Sequence, residues 1–368
     1  MKDVAAYPRR KPSLRDRWDR RIFNLIADQS LQNRLSRLPI IKRLVRQDGE
    51  AVFDIMMGFI NSQVLMALVR LHIIDHLADQ SADFAELSDL CDVPQDRIEI
   101  LCRAGAALGL MHIRKTRVRL SRKGAVFAAV PGLAQLVDHH EILYQDLSRP
   151  QDFFRGLTQP DLARFWPYVF TQGTDLPADD AKRYSQLMTD TQNLVAHDTL
   201  HGLDVGPAKS WLDVGGGSGA FVTHVAQKFP GLTCAVFDIV PQLSPDESFD
   251  RHVGSFKTDA LPAGYDIISV IRVLYDHSDT TIQNLLTKIY TALPIGGRIV
   301  ISEPMLGTPT PSRAGDVYFA IYTLAMETGK TRNSDQIIDI MNKIGFSDIK
   351  FCAGNRPFVT SIITARKK

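Results

Sequence analysis

The residues with the clearest chemical capacity form the run Asp213-Val-Gly-Gly-Gly-Ser-Gly219. Apolar residues before it, Trp211–Val214, read as a strand, and Ala220–Phe229 after it as a helix. The glycines let the chain turn tightly and let a ligand approach the backbone with no Cβ in the way. The free N–H groups of the following helix face the same cleft. Gly215, Gly217 and Ala220 also satisfy the looser dinucleotide pattern, so the run alone leaves two cofactor classes open. Asp213 favours one of them, because a carboxylate there repels a pyrophosphate but suits a cationic sulfonium and amino group. Asp238, closing the next strand, meets ribose hydroxyls in either case.

The elements that must position this turn come next. Strands are expected at Trp211–Val214, Thr233–Asp238, His252–Val253, Tyr265–Val270, Arg298–Glu303, Ile349–Ala353 and Val359–Ala365, with helices at Ala220–Phe229, Thr280–Leu293 and Ser334–Ile344. This alternation predicts an open, doubly wound, mostly parallel α/β sheet. Only Gly354-Asn-Arg-Pro357 separates the last two strands, too short for a crossover helix, so they form an antiparallel hairpin. The hairpin replaces the second nucleotide-binding half of a dehydrogenase. With Asp213 it points to S-adenosylmethionine as cofactor and S-adenosylhomocysteine as product.

Four segments divide the chain: a basic arm (1–46), a helical unit (47–130), a helical linker and cavity region (131–205) and the cofactor domain (206–368). The arm holds thirteen Lys or Arg against four Asp, a local +9 that leaves −7 for the rest of a chain of net charge +2. Trp18, Ile22, Leu25 and Ile26 recur at helical spacing among Arg17, Arg20 and Arg21, a basic amphipathic helix suited to an anionic membrane surface or to a protein partner. Leu35, Leu38, Ile41 and Leu44 extend it, broken by Pro39. In the second segment Asp83 caps a helix from Phe84, Arg97–Leu108 forms another, and Met111–Leu120 alternates as a β-wing. That order is a winged helix, whose Arg114, Lys115, Arg117 and Arg119 would suit DNA; beside an enzymatic half it more often serves dimerisation. Aromatics at Phe153, Phe154, Phe165, Trp166, Tyr168 and Phe170 point to a substrate cavity.

Composition is that of an ordinary globular chain, 45% hydrophobic and 23% charged. Cys91, Cys102, Cys234 and Cys352 lie far apart, which predicts neither disulfides nor zinc and suits a cytoplasmic setting. No histidine–carboxylate cluster has metal spacing, so a metal-independent site is expected. No secretory signal and no apolar stretch near the roughly 20 residues of a membrane span are seen.

On these residues the chain resembles the plant and bacterial small-molecule O-methyltransferases of the caffeate and hydroxyindole type, over residues 50 to 366. The matching segments are Trp211–Gly219, Phe237-Asp238, His252-Val-Gly254, Arg272-Val-Leu-Tyr-Asp-His-Ser-Asp279, Ala292–Arg298 and Ile301-Ser-Glu-Pro304. Within that family it is most similar to the enzymes of photosynthetic purple bacteria that methylate the tertiary 1-hydroxyl of acyclic carotenoids, hydroxyneurosporene or demethylspheroidene. Gly58-Phe-Ile-Asn-Ser-Gln63, His139-His-Glu-Ile-Leu-Tyr144, Gly254-Ser-Phe256 with Asp259 after it, and Leu324-Ala-Met326 before Gly329-Lys-Thr-Arg332 carry that likeness. The resemblance implies a homodimer, a hydrophobic carotenoid substrate and no nucleic-acid partner. It implies cofactor contacts at Gly215, Asp238, Ser255, Phe256 and Arg272, beside Asp213 and Gly217.

Two departures matter. The family's catalytic histidine falls on Tyr275, and one orienting glutamate falls on Thr331; Glu303 matches the other. A phenol of pKa about 10 can be ionised early by histidine, whereas an aliphatic tertiary alcohol is far less acidic. Late proton loss is therefore expected, with Tyr275, Asp276, His277 and Glu303 as the catalytic candidates. A methyltransferase for a small phenol or indole, a carbon methyltransferase of a bacteriochlorophyll-type macrocycle, a scaffold subunit and an S-adenosylmethionine-sensing DNA-binding regulator are the rival readings.

Overall fold

The computed structural model describes Ser13, residues 15–18, Arg20, Asn24, and then 39–165, 191–239 and 249–368. Of the expected arm helix, residues 15–18, Arg20 and Asn24 are helical and Trp18 is exposed. Its remaining apolar positions, and Trp166, Tyr168 and Phe170, lie outside the described residues.

Helix α1 runs Pro39–Arg70, with Pro39 at its start rather than breaking it. Proline fits there because its missing N–H has no acceptor in a first turn anyway. Contrary to the sequence expectation, Val45–Arg70 is long and apolar enough to cross a membrane by length and composition. Gly58, Asn61, Ser62 and Gln63 interrupt the apolar run on paper but do not stop a helix. Only 11% of its most apolar stretch is buried, and Val52, Phe53, Ile55, Met56, Phe59 and Ile60 are exposed along one side.

The helical unit continues as α2 (Ile73–Asp79), β1 (Ala82–Asp83), α3 (Phe84–Cys91), α4 (Gln95–Ala107), β2 (Met111–Arg114), β3 (Arg117–Leu120) and α5 (Arg122–Ala129). Asp83 caps α3 as expected: its carboxylate accepts from the Ala85 and Glu86 N–H groups, and Glu86 returns to the Asp83 N–H. The wing is the antiparallel β2–β3 pair in a sheet of order β1-β3-β2. Leu68, Ile74, Leu87, Ile98, Cys102 and Val118 close its core. Of the basic wing residues, Arg117 is occupied within the chain, donating to Ser81 Oγ and the Ser81 carbonyl.

Helices α6 (Leu133–Asp146), α7 (Pro150–Phe154) and α8 (Leu162–Phe165) follow. Phe153 is buried there against Leu162 and Tyr322, while Phe154 is exposed. A helical segment at 191–200 leads into the sheet.

The sheet contains β4 (Ser210–Val214), β5 (Thr233–Asp238), β6 (Asp250–Val253), β7 (Ile267–Ile271), β8 (Arg298–Glu303), β9 (Phe346–Cys352) and β10 (Ser361–Lys367), in the order β6-β5-β4-β7-β8-β10-β9. Every pairing is parallel except those of β10, which runs antiparallel to both β8 and β9. Helices α9 (Ala220–Lys228), α10 (Asp279–Ala292), α11 (Ala320–Ala325) and α12 (Ser334–Ile344) complete the domain, and a π-helix at Arg313–Phe319 precedes α11. Strand alternation divides β4 between two cores. Leu212 and Val214 pack with α10 and α12, Trp211 with Phe221 and Val225 of α9. The strand order reverses at β4, where the carboxyl ends of β5, β4, β7 and β8 share one edge, the position at which open α/β sheets bind ligands.

Candidate active site

The glycine turn follows β4 at that edge. Gly215 donates its N–H to the Phe237 carbonyl at 2.8 Å, tying the turn to β5. Gly217 has φ +55°, a conformation that costs other residues about 1–2 kcal/mol, and a Cβ built there meets open space. Asp238 at the end of β5 accepts the Gly217 N–H at 2.8 Å through Oδ2 and the Ile239 N–H through Oδ1. A half-exposed carboxylate beside an open glycine backbone fits the ribose and amino acid ends of S-adenosylmethionine.

Asp213 does not open onto this cleft as the sequence suggested. It is 1% exposed and points to the α9 side of the sheet, where Ser269 Oγ donates to its Oδ1 at 2.5 Å. A Cβ on Gly216 would sit 2.6 Å from Asp213 Oδ2, so the turn lies directly over the carboxylate. Burial pushes Asp213 up to about 7, with Ser269 pulling it back and Asp238 adding to the rise. Strand parity is the reason: Asp213 shares a face with Trp211, whose Nε1 donates to the same Ser269 hydroxyl.

Beyond the turn, Ser255 donates its N–H to Asp259, and the Phe256 ring stands edge-on to His277 with centroids 5.2 Å apart. His277 is buried, and desolvation, then Lys257 and Arg332, push its imidazole down to about 3. The expected flank of an adenine is thus joined to the expected catalytic loop.

That loop, residues 272–279, is held from two sides. Arg272 opens it with φ +57°, donating its N–H to the Ser302 carbonyl and Nη1 to Thr191. Glu303, 1% exposed at the end of β8, accepts the N–H groups of Val273 and Leu274 at 2.8 Å and of Tyr275 at 3.3 Å. Burial raises Glu303 to about 7 despite these three bonds. Arg332, 3% exposed, grips the carbonyl side: Nη1 bonds Leu274 O at 3.0 Å, Nη2 bonds His277 O at 2.8 Å, and Nε reaches Asp279. Sequence reasoning gave Arg332 no role at the site, because Leu274, His277 and Asp279, which it grips, lie more than 50 residues away.

On this loop Tyr275 and Asp276 sit side by side in a 3-10 turn, each 5% exposed. Burial, reinforced by Asp276, pushes the Tyr275 phenol well above its usual range, and Arg272 opposes the rise. Burial and then Glu303 push Asp276 up likewise, opposed by Arg272 and by a hydrogen bond to Tyr275. Facing them is a pair of elements whose partnership the sequence did not reveal. His139 and His140 of α6 meet the hydroxyls of Tyr322 and Tyr318, both at 2.8 Å. Burial holds both imidazoles at about 4, so they are neutral near pH 7. Tyr318, next to last in the π-helix, stacks on Tyr322, and Phe319, its last residue, is edge-on to Tyr275. The spacing Tyr318–Tyr322, about one helical turn, pairs the two tyrosines but carries no signal of their histidine partners. Thr331, at the lost glutamate's position, is buried against the Thr323 hydroxyl at 3.1 Å. Among the described residues no group of three His, Cys, Asp or Glu is placed to hold a metal ion.

Comparison with known proteins agrees with this architecture. Residues 152–347 match the O-methyltransferase domain and residues 53–129 the O-methyltransferase dimerisation domain. The chain is 44% identical to the demethylspheroidene O-methyltransferase of Rhodobacter capsulatus, over 94% of this chain and 89% of that one. It is 41% identical to the protein of the same name from Cereibacter sphaeroides, over 94% and 92%. Among solved structures, human N-acetylserotonin methyltransferase in complex with SAM shares the fold with a TM-score of 0.73 at 22% identity, covering 87% of this chain and 98% of that one. With a domain model spanning its catalytic half and relatives matched almost end to end, the chain belongs to the O-methyltransferase family.

Proposed function

We propose that this enzyme transfers a methyl group from S-adenosylmethionine to the tertiary 1-hydroxyl of an acyclic carotenoid of the demethylspheroidene type. The observation that carries the substrate is the identity of 44% and 41%, nearly end to end, with two enzymes named for that reaction. The site supports it. A phenol-type mechanism needs a histidine where this chain has Tyr275, while an aliphatic alcohol needs only a group that orients it and takes its proton late.

The cofactor supplies an activated methyl on a positively charged sulfur. Gly215, Gly217 and Asp238 hold its amino acid and ribose parts, with Asp213 supporting the turn from beneath. Ser255 and Phe256 flank the adenine, and Arg272 closes the near side. Glu303 and Arg332 fix the loop so that Tyr275 and Asp276 meet the substrate hydroxyl at a set distance in a dry site, where alignment supplies much of the rate. The segments 47–130 and 206–368 act as dimerisation and methyltransfer units, joined by the cavity region 131–205.

The exposed apolar side of α1 lies within the matched dimerisation domain and pairs two copies of the chain. The basic arm, 1–46, docks the dimer on the anionic inner face of the membrane that holds the substrate. Incubation with labelled S-adenosylmethionine and a carotenoid extract, followed by mass analysis, tests the central reaction. A 1-hydroxy carotenoid that gains one methyl supports it; label found only in phenols, indoles or macrocycles refutes it.

A further inference from the structure

The late proton needs a destination, and the loop offers few. Glu303 has both oxygens engaged by backbone N–H groups. The phenol of Tyr275 holds its own proton tightly, so it acts as a donor. His277 is turned against Phe256, and the Nε2 atoms of His139 and His140 already meet tyrosine hydroxyls. Asp276 differs. The residue is 5% exposed, yet its Oδ1 has no hydrogen-bond partner among the described residues. A buried carboxylate oxygen left open beside the reacting edge calls for a donor from the ligand.

Resting on the reaction proposed above, we infer that Asp276 Oδ1 is the acceptor of the substrate hydroxyl's proton, with Tyr275 as the positioning residue that holds the carboxylate. The alcohol oxygen forms its new bond to the methyl carbon, and the carbon–sulfur bond breaks with its electron pair left on sulfur. The hydroxyl proton, made strongly acidic as that new bond forms, passes to Asp276 Oδ1. One positive and one negative charge are consumed together, leaving a neutral thioether, a neutral ether and a neutral carboxylic acid. A dry cavity therefore suits the transition state better than the separated charges before it. This is the physical use of a buried aspartate on a loop whose histidine position holds Tyr275.

The groups facing Asp276 set its titration: Tyr275 on its own turn, Arg272 before it, Glu303 from β8 and Tyr322 from α11. Burial and Glu303 outweigh Arg272 and Tyr275, so the ionised, accepting form grows as pH rises. The acid limb of kcat belongs to this carboxyl.

The test compares wild type, Asp276→Asn, Asp276→Glu and Tyr275→Phe, using S-adenosylmethionine and a detergent-dispersed 1-hydroxy carotenoid. S-adenosylhomocysteine binding is measured by calorimetry, and the infrared carboxylic-acid band of the cofactor-free protein is followed against pH. Asp276→Asn is expected to bind S-adenosylhomocysteine within about twofold of wild type. It should lose about 100-fold or more in kcat, the acid limb, and one titrating infrared band. Asp276→Glu, which keeps the carboxyl should the amide variant fail to fold, is expected to retain a shifted acid limb and the band. Tyr275→Phe should keep the limb, displaced to a different pH. Asp276→Asn with more than a tenth of wild-type kcat and an unchanged limb overturns the assignment, as does an Asp276→Glu limb identical to wild type. Wild type that binds no S-adenosylhomocysteine overturns the cofactor reading beneath it instead.

Discussion

Arg332→Met removes the clamp on the carbonyl side of the loop while keeping an apolar stem in its place. Three carbonyls lose a charged donor: Leu274 O, His277 O and Lys330 O, at 3.0, 2.8 and 2.7 Å. Hydrogen bonds to charged groups contribute about 1.5–3 kcal/mol each, so the low end gives about 4–5 kcal/mol. The ion pair to Asp279 adds little, since that carboxylate is more than half exposed. Water entering the opened loop recovers part of the loss, leaving about 3 kcal/mol, a large share of the 5–15 kcal/mol of an ordinary domain. Arg332→Lys should lose about half as much, because one ammonium cannot span carbonyls that the planar guanidinium bridges. Urea unfolding reads the stability, with an unchanged m-value showing that only stability moved. Methyl transfer should fall at least tenfold in Arg332→Met while S-adenosylhomocysteine affinity falls less. Stability within about 0.5 kcal/mol of wild type, the scatter of surface substitutions, would refute the clamp.

Other consequences are equally direct. Gly217→Ala puts a side chain into a positive-φ position that faces open space, so stability should drop by about 1–2 kcal/mol. Calorimetry should show S-adenosylhomocysteine binding weakened more than tenfold; unchanged affinity would place the cofactor elsewhere. Asp213 titrates near 7 when folded against 3.8 as its unperturbed value. The folded chain therefore holds a proton that the unfolded chain lacks between those values, and stability falls as pH rises through that window, by up to about 4 kcal/mol. Asp213→Asn should flatten this slope in denaturation series from pH 4 to 7, and an unaltered slope would contradict the burial argument. Deleting residues 1–46 should weaken binding to anionic liposomes more than it lowers turnover of detergent-dispersed substrate. Equal liposome binding by the two proteins would remove the arm from membrane docking.

Much of the fold was legible because its signals are local. Thr233–Asp238, Arg298–Glu303 and Ser334–Ile344 fall where hydrophobic runs and caps place them, and the short link at 354–357 forces the closing hairpin. What the sequence could not show depends on which way a side chain points or on distant partners. Asp213 was read as facing the ligand because it adjoins the glycines, yet strand parity sends it under them. Glu303 aligns with an orienting glutamate, but its carboxylate serves three backbone N–H groups rather than a catalytic imidazole. His139 and His140 stood out as a pair, but their tyrosine partners lie about 180 residues on, in a π-helix and the helix after it, which no periodicity announces. Helix α1 was not read as an apolar span of membrane length because uncharged polar residues interrupt its apolar run.

Asp238 is the carboxylate that remains at the open edge once Asp213 is found buried, and the assignment of the cofactor cleft rests on it. Titrating S-adenosylhomocysteine into wild type and Asp238→Ala in a calorimeter measures that role. Vicinal hydroxyls on a charged acceptor contribute about 1.5–3 kcal/mol, so the variant should bind about 10- to 150-fold more weakly. Equal affinity in the two proteins, or heat from a nicotinamide nucleotide in place of S-adenosylhomocysteine, would contradict the account.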